Sequence, residues 1–217
     1  MQLTHRFRRL RRTSALRDLV RETQLSVNDL ILPIFVEEEI DAPVPIRTLP
    51  GISRYPEAML PEVVLQAQKA GIKAIILFGI SHNKDAIGAD SWHQEGLMAR
   101  MIRSAKETAP EMLVISDNCF CEYTDHGHCG VICDHDVDND KTLINLQKQV
   151  VVAAKAGVDM IAPSGMMDGM IAAIREALDN NGFEHIPVMS YSTKFSSNYY
   201  GPFREAVDSS FNGTRDS

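Results

Sequence analysis

Two groups of side chains suited to carbonyl and metal chemistry follow apolar segments of this chain. Lys194 ends the segment MSYSTK, and Cys119, Cys121 and Cys129 follow the apolar run at 112–117. A deprotonated lysine amine attacks a ketone to form a Schiff base, and thiolates are good ligands for zinc. Together the two groups predict an enzyme that acts on a carbonyl substrate beside a metal ion.

The spacing of the three cysteines, C-x-C-x7-C, favours a catalytic metal site over a structural one. Structural zinc sites commonly place their ligands in two separated C-x2–4-C pairs, which this pattern does not match. Three protein ligands leave one position of a tetrahedral zinc ion open for water or substrate. We therefore expect Cys119, Cys121 and Cys129 to bind Zn2+, with reduced loop cysteines that hold no metal as the alternative.

Other side chains of the cysteine-rich loop are less specific. Cys133 could be a fourth ligand, although its apolar neighbours favour packing as a small apolar residue. His126 and His128 could bind the metal, contact a substrate or form hydrogen bonds within the loop. Their roles stay open at the level of the sequence.

The acidic segment at 134–140 follows this loop. It lacks the glycine and the final glutamate that a calcium-binding EF-hand requires. We expect a solvated loop that ends where Asp138 or Asn139 caps the next helix.

Lys194 needs an unusual environment to act as a nucleophile. A lysine amine has an ordinary pKa of about 10.4, so burial or a nearby cation must lower it before free amine is available at neutral pH. Lys194 follows an apolar segment, and four aromatic residues can surround it with apolar surface: Tyr191, Phe195, Tyr199 and Tyr200. An ordinary surface lysine is the alternative.

Four further polar residues belong to the candidate site. Arg204 and Arg215 follow Lys194 and could each bind a substrate carboxylate through two hydrogen bonds. Asp117 ends the third predicted strand and could orient an amine or accept a proton. Ser164 follows the fourth strand and could bind substrate or cap the next helix. Solvated arginines and a turn-forming aspartate are the alternatives.

Apolar strands alternate with helical segments along most of the chain. Near-continuous apolar strands are typical of a parallel sheet covered on both faces, and no glycine-rich nucleotide-binding motif follows a strand. The sequence predicts an α/β fold, a (β/α)8 TIM barrel with its active site at the strand C-terminal ends. The predicted strands lie at 30–36, 73–79, 112–117, 158–162 and 186–191, and the predicted helices at 57–70, 92–108, 141–156 and 167–178.

The predicted barrel is incomplete within these 217 residues. A barrel of this type typically takes about 250 residues and has eight strands. We expect a chain truncated after about five βα units, with an N-terminal arm at 1–27 and a partial barrel domain at 28–217. An open parallel sheet of five strands is the alternative.

Composition argues against several other classes of protein. The net charge of -7 is opposite to that of most nucleic-acid-binding proteins, and no apolar segment approaches the ~18 residues of a membrane span. Clustered cysteines without a secretory signal indicate a reducing compartment, and we expect the cytoplasm. The arginine-rich arm at 1–27 could dock on a partner subunit, remain solvated or be a transit peptide.

Several segments closely resemble the porphobilinogen synthase (5-aminolevulinic acid dehydratase) family. They are DNCFCEYTDHGHCG at 117–130, APS at 162–164, MDG at 167–169, MSYSTKF at 189–195 and YGPFR at 200–204. The resemblance extends to the arm and to the first apolar strand. The cysteine and lysine segments are highly specific, and they are most similar to the zinc-using bacterial branch.

The resemblance implies an activity and an assembly. Members of this family condense two 5-aminolevulinate molecules into porphobilinogen with loss of two waters, in heme biosynthesis. They form homo-octamers in which the arm embraces a neighbouring subunit. A regulatory ion such as Mg2+ is left open. The family's second active-site lysine lies on a later strand, beyond residue 217, so we expect this chain by itself to be inactive or unfolded.

The resemblance also implies residue roles. Lys194 matches the lysine that forms a Schiff base with the first substrate molecule. The other matches are the catalytic zinc ligands Cys119, Cys121 and Cys129, the carboxylate-binding residues Arg204 and Arg215, and the pocket residues Asp117 and Ser164. Two other functions stay open: a non-catalytic zinc-binding fragment, and a Schiff-base lyase of the class I aldolase type, which needs no thiol cluster.

Overall fold

The computed structural model describes residues 4–192 and 201–207. Strands and helices alternate along most of this part of the chain. The strands are β1 (Ile31–Glu37), β2 (Val44–Pro45), β3 (Ser53–Pro56), β4 (Ala74–Ile80), β5 (Leu113–Asn118), β6 (Ile132–Cys133), β7 (Asp136–Val137) and β8 (Met160–Pro163). The helices are α1 (Ser14–Leu19), α2 (Leu60–Lys69), α3 (Leu97–Thr108), α4 (Asn139–Lys155), α5 (Met170–Asp179) and α6 (Gly201–Ala206).

The main sheet has the strand order β2-β3-β1-β4-β5-β8. Its neighbouring strands are parallel except for β2 and β3, which form an antiparallel hairpin. The parallel pairs confirm the α/β class. The sequence did not predict that β3 would also pair with β1 and so extend the sheet.

Helices α2 to α5 cover one face of this sheet. The core between them contains alternate strand residues, among them Ile34, Val36, Ile75, Leu77 and Val114, each at most 1% exposed. In a barrel wall the helices that connect successive strands cover the outer face, whereas in a doubly wound sheet the connecting helices lie on both faces. The arrangement is therefore of the predicted TIM-barrel type.

The other face of the sheet carries a smaller apolar cluster. Phe35 and Phe78 stack with ring centroids 5.1 Å apart, and Phe203 of α6 meets Phe78 edge to face at 5.3 Å. Ala206 and Val207 are buried in the same cluster. These contacts seat α6 on the face of the sheet opposite to the other helices.

Capping side chains determine where α3 and α4 begin. The prediction that a helix starts at position 92 was wrong, because Ala89–Trp92 forms a separate 3-10 helix and α3 begins at Leu97. The carboxylate of Asp90 accepts a hydrogen bond from the Leu97 amide at 3.2 Å and thereby satisfies a free amide at the new helix start. Helix α4 is capped as predicted, since Asp138 accepts from the Lys141 amide at 3.0 Å.

The predicted fifth barrel strand is shorter in the structure than in the sequence-based expectation. Only Val188 of the segment at 186–191 forms a bridge, a parallel one with Ile161 of β8. The Ile161 amide donates to the Pro187 carbonyl at 3.1 Å, and the Met189 amide donates to the Ile161 carbonyl at 2.8 Å. The segment thus lies beside β8 in the expected order.

The N-terminal segment lies on the surface. Residues 4–30 are exposed, apart from the half-buried Leu16. Apolar side chains are among them, with Phe7 80%, Leu19 80% and Leu25 85% exposed. Docking of this arm on a partner subunit stays a prediction. Within the described ranges, no helix has the length and apolar character needed to cross a bilayer.

Lys106 joins α3 to the N-terminal edge of the sheet. Its ammonium lies 2.9 Å from the Asp159 carboxylate and donates to the carbonyls of Pro110 and Met112 at 2.9 and 3.2 Å. The same carboxylate accepts from the Val114 amide at 2.7 Å. One lysine therefore satisfies three acceptor groups on two segments, at the end of the sheet that lies away from the strand C-termini.

Replacing Lys106 should destabilise the protein without changing its fold. In Lys106→Met the Pro110 and Met112 carbonyls and the Asp159 carboxylate lose a donor, so the free energy of unfolding should fall by about 1–3 kcal/mol. The matched control is Arg103→Met, which removes a pair with the exposed Glu95 and an exposed hydrogen bond to the Gln94 carbonyl and should change the free energy by about 0–1 kcal/mol. Urea unfolding measures both, and equal losses would contradict the assignment.

Candidate functional site

Polar and thiol side chains gather where β5 and β8 end. These strands are parallel neighbours, with Asp117 in register with Ala162 and Asn118 with Pro163. The Ser164 amide continues this alignment by donating to the Asn118 carbonyl at 3.2 Å. The residues that follow the two strands therefore meet at one edge of the sheet, as barrel active sites do.

Asp117 and Ser164 are in direct contact. The Ser164 hydroxyl donates to the Asp117 carboxylate at 3.0 Å, and both residues are buried, at 6% and 4% exposure. Ser164 does not cap the next helix, since α5 has Gly169 at its N-cap. Asp117 lies within a strand, so the alternative of a turn-forming aspartate is also wrong.

Tyr191 joins this pair. Its hydroxyl forms a hydrogen bond with the Asp117 carboxylate. Burial raises the pKa of Tyr191 above its ordinary value, and the negative charges of Asp117, Cys119 and Glu122 raise it further. The phenol therefore stays a neutral donor over the physiological pH range. From the sequence, Tyr191 is expected only to provide apolar surface around Lys194, which lies three positions after it.

The thiols of Cys119, Cys121 and Cys129 form a compact buried group. Their sulfur atoms lie within 4.8 Å of one another, and the Cys119 and Cys121 sulfurs are 3.3 Å apart. Each residue is at most 8% exposed. Because thiolate sulfur is a preferred zinc donor, this set fits a metal ion held by three protein ligands.

The surroundings of the group disfavour thiolates in the absence of a cation. Hydrogen bonds with Cys119 and Cys129, together with burial, raise the pKa of the Cys121 thiol well above its ordinary value. The buried Glu122 adds negative charge and accepts from the Cys121 sulfur at 3.2 Å. A bound cation would offset this concentration of charge.

The loop that carries the thiols is fastened to the loop after β4. The Asp85 amide donates to the Tyr123 carbonyl at 3.2 Å, and the Asp125 amide donates to the Asp85 carbonyl at 3.0 Å. His126 contacts the Ala86 carbonyl through Nε2 at 3.1 Å and accepts from the His128 amide through Nδ1. Both ring nitrogens of His126 are thus used in hydrogen bonds between and within these loops.

Cys133 is separate from the thiol group. The expectation that it packs as an apolar residue was wrong, because it is exposed and accepts from the Lys141 ammonium at 3.3 Å. It belongs to the hairpin formed by β6 and β7, whose turn residues Asp134 and His135 have φ values of 49° and 72°. The turn points this part of the loop away from the core.

The arginine and lysine candidates are only partly covered by the structure. Lys194 and Arg215 lie outside the described residues. Arg204 belongs to α6, but its side chain is outside the described part of the chain. The structure thus places Asp117, Ser164 and the three cysteines together and leaves the roles of the other three as predictions.

A carboxylate that the sequence did not single out holds α6 in place. Glu205 accepts from the amides of Arg47 and Thr48 at 3.0 and 3.2 Å and from the Thr48 hydroxyl at 2.7 Å. The Arg47 guanidinium adds a contact at 3.2 Å. The Thr48 hydroxyl makes the largest contribution in lowering the pKa of Glu205 from 4.5 to about 2. Glu205 thus anchors the helix that carries Arg204.

The stability contributed by Glu205 should depend on pH. Its pKa is lower in the folded protein than in the unfolded one, so its contribution is complete above about pH 4.5 and is lost as the pH falls towards about 2. Glu205→Gln should therefore lower the melting temperature at pH 7, and its difference from the parent protein should shrink as the pH falls through that window.

Differential scanning calorimetry between pH 7 and pH 2.5 would test this. Glu184→Gln, which neutralises an exposed carboxylate, is the matched control and should behave as the parent does at each pH. A Glu205→Gln difference that stays constant down to pH 2.5 would show that the charge of Glu205 is not what anchors α6.

Comparisons with known proteins agree with this geometry. Residues 4–217 match the family model described as "Delta-aminolevulinic acid dehydratase". The chain is 57% identical over 99% of its length to the delta-aminolevulinic acid dehydratase of Escherichia coli, and 48% identical over 94% to that of Staphylococcus epidermidis. It covers 66% and 64% of those two proteins, so it spans about two thirds of the length of these relatives.

A solved structure gives the same result at the level of the fold. The Toxoplasma gondii delta-aminolevulinic acid dehydratase (porphobilinogen synthase), in complex with its reaction product porphobilinogen, superposes with a TM-score of 0.93 at 38% identity. The match covers 99% of this chain and 62% of that one. The sheet and helices described above are therefore shared with that protein over nearly the whole of this chain.

Proposed function

Because the chain belongs to the delta-aminolevulinic acid dehydratase family, we propose that it carries the metal site and one Schiff-base lysine of a porphobilinogen synthase. The reaction is the condensation of two 5-aminolevulinate molecules into porphobilinogen with loss of two waters, in heme biosynthesis. The relative solved with porphobilinogen bound supports this substrate class. The main support within the chain is the position of three buried thiols beside Asp117, Ser164 and Tyr191.

In this proposal Cys119, Cys121 and Cys129 hold a Zn2+ ion. A metal ion with an open position supplies Lewis-acid chemistry, which polarises a substrate oxygen. The fit rests on donor type and spacing, since three sulfur atoms within 4.8 Å of one another suit a single ion. A regulatory Mg2+ is part of the proposal but is assigned no residues, because in the described ranges the three thiols are the group with ligand geometry.

The remaining site residues act on the substrate directly. The Lys194 amine attacks the ketone carbon of 5-aminolevulinate, and water leaves as the Schiff base forms. Arg204 and Arg215 bind the substrate carboxylate. Asp117, held by hydrogen bonds from Ser164 and Tyr191, has a carboxylate oriented to accept a proton or to hold an amine at the rim of the sheet.

The proposal extends to domains, assembly and location. Residues 1–27 form an arm and residues 28–217 form barrel wall, in a homo-octamer whose arms embrace neighbouring subunits. The exposed apolar side chains Phe7, Leu19 and Leu25 support docking of the arm, because such residues are usually covered in an assembly. The cytoplasm is the proposed location, supported by buried thiols that are free of disulfides.

Trapping the Schiff base tests the assignment of Lys194. Incubation of the full-length protein with 5-aminolevulinate and borohydride should reduce the imine and attach substrate mass to the peptide that contains Lys194, as read by mass spectrometry. Lys194→Arg should abolish the adduct, whereas Lys141→Arg, a change at an exposed lysine, should leave it intact. Absence of a Lys194 adduct would favour the non-catalytic zinc-binding alternative.

Removing one thiol tests the metal site and separates this function from an aldolase. Cys121→Ala should reduce bound Zn2+ from about one ion per chain to none, because two thiols form an incomplete site. The Lys194 adduct should still form, since that step uses the amine. Cys133→Ala, at the exposed cysteine, is the matched control and should retain the metal. Substrate turnover that persists in Cys121→Ala would favour the hypothesis of a class I aldolase, which needs no thiol cluster.

A further inference from the structure

A buried side chain of α4 supports the first thiol of the group. Gln149 donates through Nε2 to the Cys119 carbonyl at 2.9 Å. The carbonyl lies just beyond the end of β5, so the side chain supplies a partner where the sheet does not. Gln149 is 2% exposed, and a buried carbonyl left without a donor is destabilising.

A chain of hydrogen bonds fixes the orientation of the Gln149 amide. Its Oε1 accepts from Asn118 Nδ2 at 3.2 Å, and the Asn118 Oδ1 accepts from the Ser116 hydroxyl at 2.8 Å. Both partners are at most 1% exposed and belong to β5. Side chains of β5, the strand that leads into the thiol loop, therefore orient the Gln149 amide that donates to the Cys119 carbonyl.

Two helical turns earlier, the same helix supports the other end of the thiol loop. The Thr142 hydroxyl accepts from the Val131 amide at 3.0 Å and donates to the Asp138 carbonyl at 2.7 Å. Val131 lies two positions after Cys129. Between them, a Cβ atom at Gly130 would lie 2.6 Å from Thr142 Oγ1, so this close approach requires glycine.

The geometry of an α-helix relates these two supports. Thr142 and Gln149 are seven positions apart, close to two turns, so they share one face and lie about 10 Å apart along the axis. The helix is rigid over this length, because α4 continues from Asn139 to Lys155. The spacing of the two ends of the loop is therefore set by one element.

We propose that Thr142 and Gln149 are positioning residues for the metal ligands. They act through the backbone at Cys119 and at Val131, next to Cys129, and hold the two outer thiols at the separation that a single Zn2+ ion requires. This inference rests on the proposed metal site, and it assigns to α4 a role in metal affinity and geometry in addition to its packing in the core. Residues that hold metal ligands in this way typically change affinity 10–100-fold when replaced.

Two nearly isosteric variants of the intact protein test this role. Gln149→Met and Thr142→Val remove the hydrogen bonds and keep the side-chain size. Each should weaken Zn2+ binding by about 10–100-fold in competition with a chromophoric chelator. Each should also shift the visible and thiolate charge-transfer bands of the Co2+-loaded protein, which report the geometry around the metal. Thr142→Ser retains the hydroxyl and should restore parental affinity and bands.

Asn145→Ala is the matched control. Asn145 lies on α4 between the two residues, is 8% exposed and accepts from Lys148, but it makes no contact of this kind with the thiol loop in the described structure. It should lower the unfolding midpoint and leave Zn2+ affinity and the Co2+ spectrum unchanged. Unfolding midpoints of the metal-free proteins separate loss of stability from loss of ligand geometry.

The outcomes distinguish this inference from the proposed function. Parental Zn2+ affinity and Co2+ bands in both Gln149→Met and Thr142→Val would overturn the positioning role and leave the metal site standing. A parent protein that binds neither Zn2+ nor Co2+ would overturn the metal site and this inference together. Weakened affinity with shifted bands in both variants, rescued by Thr142→Ser, supports the inference.

Discussion

The parallel pairing of β5 with β8 is the constraint on which the rest of the site depends. It brings the chain after Asn118 and the chain after Pro163 to the same edge. Asp117 then meets Ser164, although the two are 47 positions apart in sequence. The thiol loop leaves the sheet at the same point, so the pairing brings Ser164 beside the strand that carries Asp117 and leads into the first thiol.

Burial of acidic groups and thiols governs the electrostatics at this edge. The carboxylates of Asp117 and Glu122 and the three thiols are each at most 8% exposed. Burial raises the pKa of Tyr191, and hydrogen bonds with Cys119 and Cys129 raise the pKa of the Cys121 thiol; the charges of neighbouring groups raise both further. Such a cluster is unfavourable by itself, and a cation among the thiols relieves it. The proposed metal therefore serves stability as well as chemistry.

The sequence predicted the parts of this structure that depend on local pattern. Apolar runs located β1, β4, β5 and β8, and Asp138 was identified as a helix cap. The spacing of the thiols and the strand-end positions of Asp117 and Ser164 indicated which residues would meet. Contacts between distant segments were not predicted, because no local pattern encodes them: Gln149 reaches Cys119 across 30 positions, and Glu205 reaches Arg47 across 158. The start of α3 was missed because Asp90 caps it from seven positions away.

The contacts that hold α6 on the sheet have a consequence for the order of folding. Its attachment to the loop at Arg47 closes a segment of 158 residues, and long closures lose more chain entropy than local ones. Helix α6 also rests on a small apolar patch, apart from the larger core between α2–α5 and the sheet. It should therefore dock last and undock first, as a subglobal opening that amide hydrogen exchange would detect while the sheet remains protected.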